Sequence, residues 1–482
     1  MLIDAVPFAR IWELLHTQTW SSKGIIAFTR MVERHLGADF VYNASRFPHK
    51  KESLLHLFEI AEQLREADII QSYGSVDPIP DEPQYKQWRA VCATKRPHVA
   101  GGMSAQDDHQ AFIAALAEGL ERYIWFELID YFKKPRTATV SEILTSGAAI
   151  LPERFAGFSP AQRAENVRLT LREDARYLWI LGRSLTAHSA IWLPAQVVSG
   201  AHGSENFRAE NGEPIILSPI TTGLATGPDV EFARLGGVLE ILERDAFMIT
   251  WLNQLSPLRL DLPALRTTSA DLDALLKMCE RYRLQVDVVR LATDAPTYAV
   301  CAIVRDASAV GPSITLGLRA DRRLAHAAER AILEALRMRY SIRYRIMSGT
   351  FGGNKHKTKI NHADRADYWT VEDRSTKLDF LSRGDVVEMH EPWENDGESE
   401  HLERIVGWCR DTGYEVASVD LGVSKKNVSP WCIEMIVMPD LLPIHQNERM
   451  PYVESPRLRN IPEMFGYTPR ITPYLDEPHP FA

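Results

Sequence analysis

An α/β fold, more closely a mixed α+β one, follows from two hydrophobic periods that alternate along the 482 residues. Apolar residues recur at helical spacing over about 109–130, 231–252 and 324–345. Between these segments lie short β-rich apolar runs: YLWILGRSL, AIWLPAQVV, LQVDVVRL, YAVCAIVRDA and CIEMIVM. The third observation is punctuation. DPIPDEP (Asp77–Pro83) can hold neither a helix nor a central strand, and ITTGLATGP (Ile220–Pro228) reads as a glycine-rich turn.

The remaining elements follow in order. The first 65 residues read as largely helical, with Leu54, Leu55, Leu57, Phe58, Ile60, Ala61 and Leu64 on one face; a docking or capping element is the plain reading. GTFGGNKHKTK (Gly349–Lys359) is a glycine-rich basic loop that could close over an anion, and ENDGESEH is an acidic solvated loop. IVGWCRDTGYEVASVDL reads as a helix followed by a strand.

Composition narrows the function classes. Net charge is −9, which argues against a nucleic-acid backbone as the main partner. No apolar run approaches the ~20 residues of a membrane span, and no basic and apolar leader opens the chain. Cys92, Cys279, Cys301, Cys409 and Cys432 are odd in number and form no CxxC pair. They read as thiols in a reducing, cytoplasmic setting.

The chemistry concentrates in two helical segments of the form ExxER. AEGLERYIWFE carries Glu118, Glu121 and Arg122, and LEILERDAFMITW carries Glu240, Glu243 and Arg244. Glutamates at i and i+3 sit on nearby faces of one helix. At about 100° per residue Trp125 lies angularly between Glu118 and Glu121, and Phe247 between Glu240 and Glu243. A carboxylate beside such bulky aromatics needs a cation or an arginine. Four converging carboxylates would suit magnesium, which takes carboxylate, phosphate and water oxygens. Arg122 and Arg244 offer guanidinium groups, and Arg330 and Glu334 form an i,i+4 pair on the third helix. A single ExxER is usually a solvated salt-bridged face. Two copies with apolar flanks leave both readings open.

The ordered segments SAQDDHQAFIAALAEGLERY, TTGLATGPDVEFARLGGVLEILERDAF, ERAILEALRMR and PDLLPIH resemble the successive signatures of YcaO-domain proteins. The terminal PHPFA resembles the proline-rich tail of the azoline-forming cyclodehydratases of ribosomal peptide natural products. The resemblance covers about residues 66–482, leaving 1–65 as a helical extension. It implies YcaO-type sheets flanked by long helices that bear the glutamates, with ATP and Mg2+ between them.

By that resemblance Glu118, Glu121, Glu240 and Glu243 are metal carboxylates. Arg122 offers phosphate a guanidinium, Arg244 and Arg330 match phosphate contacts, and Glu334 is a further carboxylate of the site. Pro478, Pro480 and the Ala482 carboxylate would lie near the reacting centre. The implied reaction converts Cys, Ser or Thr of a precursor peptide to an azoline through a phosphorylated hemiorthoamide. Implied partners are the precursor, a separate ThiF-like leader-binding protein and, where rings are oxidised, a flavin dehydrogenase. A homodimer is the general expectation.

Several positions depart from the family pattern. Ala114, Ala225 and Pro228 stand where Ser, Ser and Asn are frequent, Phe232 and Met103 where Glu and Lys are, and Ala482 where a third proline is. Thioamide or amidine formation by the same activation, and a nucleotide-free scaffold, are the competing readings.

Overall fold

Strand edges rather than strand faces organise this molecule around one centre. The computed structural model describes residues 54–95, 98–127, 135–155, 157–308, 311–351, 362–370, 372–422 and 431–481. The helical reading of residues 1–53, most of the basic loop at 349–359 and Ala482 lie outside them.

Among the described residues the strands form three sheets. The first is β1 (Ile70–Ser75), β2 (Lys86–Cys92) and β3 (Val99–Ser104), in that spatial order. The second contains β4 (Arg136–Ala138), β5 (Tyr177–Ser184), β6 (Ala190–Pro194), β7 (Leu224–Gly227), β13 (Ala417–Asp420) and β14 (Cys432–Val437). Its order is β4-β5-β13-β14-β7, and β6 pairs β5. The third is β11-β10-β9-β8-β12, from β8 (Leu258–Leu260), β9 (Leu284–Arg290), β10 (Tyr298–Asp306), β11 (Ile314–Asp321) and β12 (Val386–Val387). Every named pair is antiparallel except β12 with β8, so the fold is the α+β form of the expected class.

The helices that matter to the site are α1 (Leu54–Glu66), α2 (Asp108–Glu127), α3 (Val230–Asn253), α4 (Ala270–Arg281), α5 (Leu324–Met347), α6 (His362–Trp369), α7 (Glu398–Thr412) and α8 (Arg457–Met464). Helix α1 buries Leu57, Ile60, Ala61 and Leu64 in the same apolar cluster as the first sheet and α2. Asp229 caps α3 by accepting the Phe232 N–H, satisfying one of the orphan donors of its first turn.

Glycine sets how closely helix and strand approach. A Cβ on Gly102 of β3 would fall 1.9 Å from the Ala111 carbonyl oxygen of α2, and one on Gly317 of β11 would fall 2.1 Å from that of Ala331 in α5. Both crossings therefore exclude any side chain.

Two sequence expectations change, and two strands are added to them. AIWLPAQVV is strand only to Pro194, after which Ala195–Val197 turns. The buried Gln196 there donates to Glu213 and the Pro214 carbonyl and accepts the Ile216 N–H. The glycine turn at 220–228 contains β7, an edge strand whose small residues carry little strand signal. β3 and β11 went unread because Gly102 and Gly317 interrupt them. Cys92, Cys279, Cys301, Cys409 and Cys432 are free thiols, as expected. Among the described residues no helix is long and apolar enough to cross a membrane.

Candidate functional site

β3, β7 and β11 are edge strands, one from each sheet, and an open edge leaves backbone N–H groups that need acceptors. Five such groups end on five carboxylates. Gly101 donates to Glu118 Oε2 at 2.9 Å and Thr226 to Glu121 Oε1 at 2.7 Å. Gly223, just before β7, donates to Glu240 Oε2 at 3.1 Å. Ala320 donates to Glu243 Oε2 at 3.1 Å and Leu318 to Glu334 Oε2 at 2.6 Å. Helices α2, α3 and α5 thus aim their glutamates at the sheets' free edges, and the second oxygens are left for other work.

The two ExxER segments converge on one cavity of 320 Å³. Its wall carries Glu118, Glu121, Glu240, Glu243 and Glu334 together with Arg122, Arg244, Arg319, Arg330 and Arg337. The aromatics flanking the motifs are packed as expected: Trp125, Phe247 and Trp251 are all buried. The solvated-face reading of the motifs does not hold for either helix.

Ion pairing is uneven among the five arginines. Arg122 Nη2 reaches Glu118 Oε1 at 3.3 Å and its Nη1 donates to Thr221 Oγ1 at 3.1 Å. Arg337 Nη1 lies 3.5 Å from Glu118 Oε2. Arg244 lies 2.7 Å from Glu243 Oε1 and 3.5 Å from Glu240 Oε1. Arg330, by contrast, donates to the Met103 carbonyl and has no carboxylate partner among the described residues. Arg330 and Glu334, expected on one face of the helix, both line the cavity without forming an ion pair with each other. Arg319 Nε is buried without a hydrogen-bond partner among the described residues.

Protonation follows from this unevenness. Burial raises the Glu118 carboxyl, but Arg337, Arg122 and the Gly101 N–H outweigh it and hold the pKa below its ordinary value. Glu121 is pushed up to about 8 by burial, then by the neighbouring charges of Glu118 and Glu240. Burial also raises Glu243, against the opposing pull of Arg244. Arg330 falls to about 10 through burial and the repulsion of Arg319. The cavity thus holds both carboxylates short of positive charge and guanidinium groups short of negative charge. A divalent cation with a polyphosphate supplies both, and the donor set fits that pair.

A second cavity of 690 Å³ shares Arg122, Thr221, Glu240, Arg244, Glu334 and Arg337 with the first, and is walled by Trp125, Phe126, Ile220, Ile444 and Phe481. The C-terminal tail forms part of this wall. Pro478 and Pro480 are buried; Trp369 Nε1 donates to the Pro478 carbonyl at 3.2 Å. His479 Nε2 lies 2.8 Å from the His445 carbonyl, and Glu477 contacts Lys377 and Tyr368. His445, Glu448 and His479 offer ligand-type atoms within 4.8 Å of one another. Arg365 Nε already lies 2.7 Å from Glu448 Oε1, so a cation fills that acceptor and the cluster reads as an anchor for the tail.

Arg319, Arg337 and Thr221 escaped the sequence reading. Arg337 was legible in principle, since Arg330, Glu334 and Arg337 recur at i, i+4 and i+7 on α5. Arg319 lies on an unread strand and carried no such signal.

Residues 104–437 match the family model for the YcaO cyclodehydratase, ATP- and Mg2+-binding. The chain belongs to the YcaO family. ATP and Mg2+ are thus the family's cofactors, and all five cavity glutamates lie within the matched span. No curated protein matches the sequence. Among solved structures the chain is similar to a heterocyclase in complex with substrate and cofactor, with TM-score 0.69 and 18% identity over 88% of this chain and 57% of that one. The chain therefore spans little more than half of that heterocyclase. It is also similar to YcaO from Methanopyrus kandleri bound with AMPPCP and Mg2+, with TM-score 0.54 and 17% identity over 80% of this chain and 89% of that one. A third likeness is to the E. coli microcin synthetase McbBCD complex, with TM-score 0.54 and 12% identity over 77% and 88% of the two chains. At such identities the likeness is one of YcaO fold.

Proposed function

We propose that this YcaO protein is an ATP-dependent peptide cyclodehydratase that converts Cys, Ser or Thr of a ribosomally made precursor to azolines. The observation that carries the reading is the single cavity in which five carboxylates and five arginines meet, adjoining a second cavity of mixed polar and apolar lining. In this reading Glu118, Glu121, Glu240 and Glu243 hold Mg2+. Arg122, Arg244 and Arg330 face the phosphates, with Glu334 completing the set. ATP, when bound, supplies the phosphoryl group that turns a poor amide-oxygen leaving group into phosphate.

The chain's own residues then neutralise charge and hold geometry. Arg330 donates to the Met103 carbonyl and Arg319 Nε is without a hydrogen-bond partner among the described residues, so both can turn to an anion. Trp125, Phe247 and Phe481 are buried beside the two motif helices and give the carboxylate-bearing faces a packed support. The second cavity takes the acceptor segment of the peptide, with the Pro478–Phe481 segment beside it through Phe481.

The similar structures, a heterocyclase in complex with substrate and cofactor and a microcin synthetase complex, support a precursor peptide and partner proteins here. We take the leader-binding partner to be a separate ThiF-like chain, with a flavin dehydrogenase where rings are oxidised, and the setting to be cytoplasmic. The test is reconstitution of the chain with precursor, partner and Mg·ATP. ADP, phosphate and a peptide lighter by one water per ring are expected. ATP turnover with a sulfur- or amine-bearing product would favour thioamide or amidine formation; absence of Mg·ATP binding would favour a scaffold.

A further inference from the structure

We propose that Phe481 is a positioning residue for Arg244, setting the guanidinium where the two cavities meet. Its nucleotide-binding arm rests on the ATP reading above; its geometric arm does not.

Arg244 lines both cavities, so its orientation matters to whatever bridges them. Two carboxylates of its own helix compete for it: Glu243 Oε1 at 2.7 Å and Glu240 Oε1 at 3.5 Å. Left to these alone, the side chain would be drawn down onto α3. The Phe481 ring lies against it, with the ring centroid 4.1 Å from Arg244 Cζ. Contact with the ring through Cζ restrains the guanidinium yet leaves its N–H donors to polar partners, since the ring face offers no conventional acceptor. The in-plane fork stays available for carboxylate or phosphate oxygens.

Phe481 is itself fixed from two sides. Its ring packs 5.9 Å, centroid to centroid, from Phe247, one turn beyond Arg244 on the same helix. Phe247 also meets His479 edge-on at 6.2 Å, and His479 Nε2 holds the His445 carbonyl. Helix α3 thus supplies both the arginine and the aromatic seat for the ring that covers it. Phenylalanine adds neither charge nor hydrogen bond, so its influence on this polar cavity runs through that covered face.

The test uses the full chain with Phe481→Leu and Phe481→Tyr, alone and in an Arg244→Gln background. Phenylglyoxal labelling of Arg244 without nucleotide, read by peptide mass spectrometry, should rise several-fold in Phe481→Leu and stay at the unmutated level in Phe481→Tyr. Equal labelling in all three proteins overturns the proposal. Mg·ATP titration should show affinity falling roughly 3- to 10-fold in Phe481→Leu, with Phe481→Tyr restoring it and no further loss in the Arg244→Gln background. The same loss with and without Arg244 overturns it too, since the ring would then act by general packing. If the unmutated protein does not bind Mg·ATP, the ATP reading falls, and the labelling arm still decides the role of Phe481.

Discussion

Gly101 donates its backbone N–H to Glu118 Oε2 at 2.9 Å, so a carboxylate of α2 closes the free edge of β3. The same glutamate balances Arg122 and Arg337. Glu118→Ala therefore leaves one edge donor unsatisfied and two guanidinium groups without their shared anion. A loss of roughly 1–3 kcal/mol of stability is expected, measured by chemical denaturation. Glu118→Gln keeps an acceptor for Gly101 and should lose less stability while still weakening Mg2+ binding.

Glu121 predicts the pH behaviour of the ligand-free protein. Its pKa is raised from 4.5 to about 8 by burial and by Glu118 and Glu240. Between those values the folded state holds a proton that the unfolded state releases. Stability from this group is thus full below 4.5 and lost as pH rises through about 8. Thermal melts should fall over that range, and Glu121→Gln should flatten the fall. Mg2+ competes with the same proton, so its affinity should strengthen as pH approaches 8, with proton release visible as a buffer-dependent heat in calorimetry.

Arg330 is a charge held for a ligand. It is half-buried, repelled by Arg319, only partly balanced by Glu329 and Glu334, and hydrogen-bonded to the Met103 carbonyl. Arg330→Met keeps its bulk and removes a cation that the desolvated site holds without an ion-pair partner among the described residues, so the ligand-free protein should unfold at equal or higher denaturant concentration. Mg·ATP affinity should fall about 10- to 100-fold, the cost of one charged hydrogen-bonded contact. Titration calorimetry beside the denaturation curve separates the two effects.

What the sequence disclosed of this site depended on helical register. Glu118, Glu121, Glu240 and Glu243 were legible because i,i+3 spacing fixes a helix face whatever the tertiary fold. Their convergence was not, because it depends on which strand edges face inward. That in turn rests on β3 and β11, whose glycines hid them, and on β7, which looked like a turn. Arg330 and Glu334 share a face by the same spacing, but spacing could not name their partners: the Met103 carbonyl takes one and the Leu318 N–H the other. Arg319 needed the strand register itself.

The anchor of the tail can be broken from a distance. Arg365 is fully buried and reaches Glu448 Oε1 at 2.7 Å through Nε, while its Nη2 donates to the same His445 carbonyl that His479 contacts. Glu448→Gln would leave that guanidinium buried without an anion, and removing one partner of a buried pair costs roughly 3–5 kcal/mol. A loss of this size should appear in chemical denaturation. Because the carbonyl shared with His479 sits on the disturbed segment, the end of the chain should also loosen. Limited proteolysis should then cut within residues 470–481 faster in Glu448→Gln than in the unmutated protein under native conditions. Arg365→Met with Glu448→Gln, which removes the stranded charge, should recover much of the stability without recovering resistance to that cleavage.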